Sequence, residues 1–329
     1  MTYRLSERDN YLRCLNGEIP EYIPRYDIAR WTVIPEFMTA GRRIPGLDPY
    51  GVEYVATAET NGATLPKPND FILSDIRKWR DVIKNPDISH IDWEQLAKKD
   101  LAGRDRAATP LFADVSAGCF QRLVTFMGFT EGLCALAEEP EECYALFDYL
   151  SEFSLEVERK LIRYYKPDGI VVADDNATGI NPFISLPMYR ELFVPFLKRH
   201  TELALENNLY LHMHDCGRCE DFIQDWLELG FRAWDTAQVS NNLLKIKETY
   251  GRKLILCGCW DSSGPASWLS SPDDLLRDEL KRYVDTYAPN GGFSYVAYVM
   301  GTPGDPVYDR KQRIVDEFYR DYAMGWYDK

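Results

Sequence analysis

The sequence predicts an α/β protein, a TIM-type (β/α)8 barrel with an irregular N-terminal extension, on three observations. From Pro110 onward, short apolar runs alternate with long amphipathic stretches, the pattern of parallel strands joined by helical crossovers. Titratable side chains gather at the C-terminal ends of those runs, where such barrels carry their chemistry. No glycine-rich fingerprint follows the first strand, which makes a doubly wound open sheet the runner-up.

The elements follow in order. Residues Leu5 to Asn16 place apolar side chains at helical spacing, and Gly17 ends that helix. Ile23–Ile28 reads as a first strand. A hairpin is expected near Val52–Thr60, then a turn-rich stretch from Asn61-Gly62 to Pro68, then a helix around Asp75–Val82 capped by Ser74. The remaining strands are Leu111–Val115, Gly169–Asp174, Tyr210–Asp215, Phe231–Asp235, Leu254–Cys259 and Phe293–Tyr298. Helices are expected over Thr130–Tyr165, Leu186–Asn207, Cys219–Leu229, Asn242–Tyr250 and Pro272–Tyr287. Ser185 caps one of these, Pro187 sits in its first turn, and Pro195 breaks or kinks it. That makes seven readable strands, so one strand of eight is irregular or unrecognised. A single domain spans 1–329, with 1–109 covering the barrel and 110–329 supplying the regular βα units.

Composition bounds the function. Hydrophobic residues make up 45% and charged residues 27% of the 329, as in a soluble globular protein. A formal charge of −14 opposes binding to nucleic acid or an anionic membrane. No apolar run is long enough to span a bilayer, and the polar start MTYRLSERDN shows no signal peptide. The eight cysteines are scattered, which points to reduced thiols and a cytoplasmic protein.

The chemistry centres on Leu209-Tyr210-Leu211-His212-Met213-His214-Asp215-Cys216-Gly217. Side chains alternate along a strand, so Tyr210, His212, His214 and Cys216 share one face. Two of the chain's four histidines lie on that face with a thiol. His214-x-Cys216 offers imidazole and thiolate, both suited to zinc. A third ligand must come from elsewhere, and Asp174, Asp175 and Glu191 are the candidates. The strand-end inventory is Asp174 and Asp175, His214 with Cys216, Asp235, Cys257 and Cys259 with Asp261, and Tyr298. Trp234 and Trp260 lie beside strand ends and are expected to line an apolar pocket with Tyr298 and Met300. A four-cysteine zinc site from Cys216-x-x-Cys219 and Cys257-x-Cys259 lacks the right spacing in its second half. A redox Cys216-x-x-Cys219 lacks its usual context.

These residues together resemble the uroporphyrinogen decarboxylase superfamily, and within it the corrinoid-dependent methyltransferases. The resemblance runs through Arg8-Asp9-Asn10-Tyr11-Leu12-Arg13, Gly51-Val52, Pro66-Lys67-Pro68 and Asp75 to Asp81. It continues through Gly118-Cys119-Phe120, Asp174-Asp175, Ser185 to Lys198 and His214-x-Cys216-Gly217. The arginine-rich N-terminal motif of the decarboxylases proper is not in this sequence. In the branch that methylates coenzyme M, zinc is held by a His-x-Cys pair and a later cysteine. His214 and Cys216 match the pair, whereas the third position falls near Val299-Met300. Aryl methyl ether demethylases resemble the N-terminal half more closely and are similar in using carboxylates with histidine. Glu191 and His212 match one such spacing, and the glutamate expected fifteen residues earlier is Asn176, beside Asp175.

The resemblance implies a methyltransferase that takes methyl from a methoxylated aromatic compound to the cobalt of a corrinoid on a separate partner protein. Its catalytic groups would be His212, His214, Asp174 and Asp175. Zinc would bind through His214, Cys216 and Glu191, and Tyr298, Trp234, Trp260 and Met300 would line the substrate pocket. Alternatives are methyl transfer between a corrinoid and a thiol, porphyrin decarboxylation, and a barrel that binds without catalysis.

Overall fold

A computed structural model describes residues 3–39, 44–57, 63–115 and 117–328. Ten strands appear among the described residues, in chain order. They are β1 (Trp31–Val33), β2 (Gly46–Leu47), β3 (Glu53–Ala56), β4 (Thr64–Pro66), β5 (Leu111–Asp114), β6 (Gly169–Ala173), β7 (Tyr210–His214), β8 (Ala233–Ala237), β9 (Ile255–Gly258) and β10 (Phe293–Tyr295). β1 and β5 to β10 form one curled parallel sheet in the order β1-β5-β6-β7-β8-β9-β10. β2, β3 and β4 form a small antiparallel sheet. Helices separate the parallel strands, as the alternating pattern requires.

In the parallel sheet, the strand that escaped the sequence reading is β1, only three residues long. The run Ile23–Ile28 is not a strand throughout. Arg25 makes a single parallel bridge to Tyr295, and the chain then turns into the short helix Tyr26–Ala29. The Tyr295 amide donates to the Pro24 carbonyl at 2.8 Å, so the far edge of the sheet meets the segment just ahead of β1. Three residues are too few to show an alternation against the flanking helix.

Other boundaries moved for local reasons. Asp75, not Ser74, caps the turn at Ile76–Lys78, accepting from the Arg77 amide, and the helix Trp79–Val82 follows. The expected Phe231–Asp235 strand runs two residues later as β8. The Phe293–Tyr298 strand stops at Tyr295, because the Val296 amide donates to the Tyr283 hydroxyl instead of a neighbouring strand. The hairpin expected near Val52–Thr60 is longer: β3 pairs with β4 at Thr64–Pro66, inside the stretch expected to be turn-rich, and residues 58–62, including Asn61-Gly62 of that stretch, lie outside the described residues. Ser185 does cap its helix, accepting from the Met188 amide, and Pro195 opens the next one, Val194–Glu206.

The sheet has two apolar faces. Leu111, Ala113, Ile170, Val172, Leu211 and Met213 pack outward against the helices in the main core. The alternate residues Phe112, Val171, Ala233, Ile255 and Cys257 face inward, where Tyr11, Cys14 and Leu15 of the helix Glu7–Leu15 join them. Period-two alternation therefore puts His212 on the inner face and Leu211 and Met213 on the outer. No helix among the described residues is long and apolar enough to cross a membrane.

Candidate functional site

The register brings three strand ends together. Ala173 pairs with His214 and His214 with Asp235, so Asp174-Asp175, His214-Asp215-Cys216 and Asp235 leave neighbouring strands at one level. Consecutive residues there point in opposite directions, and each carboxylate consequently has a different task.

Asp174 faces back into the fold. Its oxygens accept the Phe120 amide at 3.0 Å and the Gln121 amide at 2.9 Å, satisfying the start of the helix Cys119–Met127. Burial pushes its carboxyl up to about 7, against the opposing pull of those amides. Asp174 thus anchors a helix. The approach is tight: a Cβ on Gly118 would lie 2.3 Å from the Ala173 carbonyl oxygen. Gly118→Ala is expected to destabilise the fold by about 1–3 kcal/mol, since backbone must move to admit it. Chemical denaturation checks this, and an unchanged midpoint would refute it.

Asp175 faces the mouth. One oxygen accepts the Cys216 amide at 2.9 Å and the other accepts the Gln121 side-chain amide. Cys216 is placed by the turn that follows β7. Gly217 takes φ +94°, and a Cβ there would lie 2.5 Å from the Ala177 carbonyl oxygen. The His214 Nε2 atom lies 3.8 Å from Cys216 Sγ and 3.9 Å from an Asp175 oxygen. One ligand atom from each of Asp175, His214 and Cys216 falls within 4.8 Å of the others.

Behind this triad sits Asp235, buried between both histidines. It accepts from His212 Nε2 at 2.6 Å and from His214 Nδ1 at 2.9 Å, and the Tyr26 hydroxyl donates to the same oxygen as His214. Arg30 donates to the Tyr26 hydroxyl and lies 4.5 Å from its ring centroid. Burial alone would favour a neutral Asp235, but the two imidazoles outweigh it and hold the carboxyl well below the usual range. His214 also loses solvation, yet its bonds to Asp235 and Cys216 win and raise its pKa to about 11. His212 is fully enclosed. Burial first, and then Arg30, lower it to about 4, and its Nδ1 has no partner among the described residues.

The donor set fits zinc: one nitrogen, one sulfur and one oxygen converge. The His214 ring is oriented through its other nitrogen by a carboxylate, an arrangement common behind metal-bound histidines.

Several expected roles change. Glu191 is exposed on its helix and is not among the converging donors, so Asp175 takes the third place. His212 has no exposed surface and turns to Asp235, away from any site it could share with Glu191. Asn176 is buried too, donating its side-chain amide to Asp215 at 2.7 Å. Trp234 lies on the outer face of β8 against Trp226, its indole donating to the Asp215 carbonyl at 2.9 Å. Trp260 is buried edge-on to Tyr283. Both indole rings are buried in packing contacts, where the sequence placed them on a pocket wall. Tyr298 and Met300 are exposed beyond β10. Asp235 was visible only as a strand-end acid. Tyr26, Arg30 and Gln121 carried no signal at all, since Tyr26 lies 209 positions from the carboxylate it touches.

Comparison with known proteins adds to this geometry. No curated protein matches the chain. Among solved structures, a methyltransferase from Methanosarcina mazei is similar, with a TM-score of 0.59 at 16% sequence identity, over 96% of this chain and 100% of that one. At that identity the likeness speaks to the fold. The uroporphyrinogen decarboxylase (URO-D) family matches residues 67–297, well over half the chain and including every member of the triad and Asp235, and the protein therefore belongs to that family.

Proposed function

We propose that this protein is a methyltransferase that moves methyl from a methoxylated aromatic compound to a corrinoid carried by a separate protein. Its curled sheet is read as a full (β/α)8 barrel, closed where Arg25 meets Tyr295. The observation that carries the reading is the convergence of Asp175, His214 and Cys216 at the strand ends, with Asp235 behind His214. The similar structure from Methanosarcina mazei is also that of a methyltransferase.

Cleaving an aryl methyl ether leaves negative charge on a phenolic oxygen. The partner's reduced corrinoid would supply the nucleophile that takes the methyl group. Zinc held by His214, Cys216 and Asp175 would supply Lewis acidity towards that oxygen. The chain's own residues orient the site. Asp235 fixes the His214 ring so that Nε2 faces the mouth, and Gln121 with the Cys216 amide fixes Asp175. A carboxylate in the third place, where the thiol-methylating branch has a cysteine, favours the oxygen donor. The His-x-Cys pair still supports methyl transfer to a thiol as a second reading.

The test mixes the full chain with a reduced corrinoid protein and a methoxyarene, or with a methylated corrinoid and a thiol. Methylated corrinoid in the first mixture is the expected result. Thiol methylation alone would replace it with the second reading, and silence in both would leave a binding barrel. Metal content is measured alongside. About one zinc per chain is expected, with ether cleavage lost on chelation and restored by added zinc. Full activity without stoichiometric metal would sink the zinc assignment and leave His214 as the group assisting the departing oxygen.

A further inference from the structure

We infer that a second ligand site lies at the N-terminal ends of the strands, opposite the triad, and that it takes a nucleoside polyphosphate. The inference stands apart from the methyl-transfer reading and uses none of its residues. A cavity of about 750 Å³ opens at that end, within the usual range for small-molecule sites. Three neighbouring strand starts build it. Tyr210 opens β7, Arg232 immediately precedes β8, and the short turn Gly251–Lys253 leads into β9. The parallel register sets them at one level, since His212 pairs with Ala233 and Ala233 with Ile255. The end of the helix Glu7–Leu15 adds Leu15, Asn16 and Gly17. At about 3.3 Å per residue, β7 separates Tyr210 from His214 by about 13 Å, so the two sites sit on opposite rims.

The cavity's charge runs against that of the chain. Among the described residues Arg232, Arg252 and Lys253 line it and no carboxylate does, although the formal charge of the whole is −14. The side chains of Arg232 and Lys253 are exposed and have no hydrogen-bond or ion-pair partner among the described residues. Arg252 is held by backbone. Its Nε donates to the Gly17 carbonyl at 2.6 Å and its Nη1 to the Asn290 carbonyl at 3.3 Å, which leaves Nη2. The acids flanking these segments are engaged elsewhere, Glu18 with Arg13 at 3.2 Å and Glu248 with Lys245 at 3.2 Å. Like charges left together repel, and a bound anion relieves that repulsion.

The donor set selects the ligand class. Asn16 Oδ1 accepts from the Tyr210 hydroxyl at 2.8 Å, so its Nδ2 remains as a donor. Guanidinium, ammonium and amide N–H groups all donate, and the ligand must therefore be rich in acceptors and negatively charged. Three separate cations ask for more than one charged group, which favours linked phosphates over a single carboxylate. Tyr210 and Tyr250, both half-buried, put aromatic surface beside the cations. A base stacks on such rings without needing a particular hydrogen-bond pattern. Charge and ring together describe a nucleoside polyphosphate.

The experiment titrates the full chain with ADP, pyrophosphate and adenosine by calorimetry, without divalent cations and at about 0.15 M salt. ADP is expected to bind about tenfold more tightly than pyrophosphate through its base, and more tightly still than uncharged adenosine. Arg232→Glu combined with Lys253→Glu should weaken ADP about a hundredfold, the loss of two charge-assisted contacts. Arg232→Lys combined with Lys253→Arg keeps both charges and should stay within about tenfold of wild type. Both side chains are exposed, so the unfolding midpoint without ligand should not move in either pair. His214→Ala should bind ADP as wild type does, which separates this site from phosphate held by a metal at the mouth. No ADP binding at about 1 mM would overturn the inference. So would an affinity unmoved by the charge-reversed pair, binding lost in His214→Ala, or pyrophosphate binding as tightly as ADP. Hexaglutamate displacing ADP more effectively than pyrophosphate does would also overturn it, in favour of an acidic protein segment.

Discussion

His214→Ala is expected to reduce methyl transfer by about 10²–10⁴-fold, the span of a group acting directly on the reacting atoms. The same change should remove zinc, because Asp175 and Cys216 alone make a two-donor site. The fold should survive. His214 is partly exposed at the mouth, and Asp235 keeps its bonds to His212 and to Tyr26 when the ring is lost. Loss of one hydrogen bond to a buried carboxylate costs about 1–3 kcal/mol. Metal analysis, rate and denaturation on one preparation separate the roles. A packing histidine would show the opposite pattern, with stability lost and activity per folded molecule retained.

Asp235→Ala should have the largest effect on stability of any single change at the site, about 3–5 kcal/mol. Asp235 is the shared acceptor for His212, His214 and Tyr26, and Arg30 lies behind Tyr26 with one guanidinium nitrogen that has no partner among the described residues. Removing the carboxylate strands a buried positive charge and several donors, which is the costly way to break such a network. Asp235→Asn keeps the shape and separates stability from function. It should weaken zinc binding by about 10–100-fold by releasing the His214 ring orientation, with a smaller loss of stability. Zinc affinity equal to wild type in Asp235→Asn would show that Asp235 serves the core alone.

Much of this was legible in the chain because it depends on short-range physics. The alternation of apolar runs and amphipathic stretches marks β5 to β10 and their helices, since burial on two faces of a strand and one face of a helix leaves different periods. Local alternation likewise marked His212 and His214 as one face of β7, with Cys216 in the turn just beyond it, and Ser185 as the start of its helix. The strand-end rule put Asp174, Asp175, His214, Cys216 and Asp235 at one rim. A three-residue β1 and a one-residue bridge at Arg25 carry too little pattern to be seen.

The sequence by itself determined the fold class, the strand that bears the chemistry and two of the three converging donors. Only the tertiary structure decided between Asp174, Asp175 and Glu191. Adjacent carboxylates on a strand end point opposite ways, so one meets a helix start and the other the mouth, while Glu191 is carried to the surface by its own helix. It also decided that His212 is enclosed against Asp235 while His214 reaches the mouth. That difference rests on Asp235, Tyr26 and Arg30, which only the curling of the parallel sheet brings together across more than two hundred positions of chain. Such contacts follow from sheet order and register, and neither is written in any local run of residues.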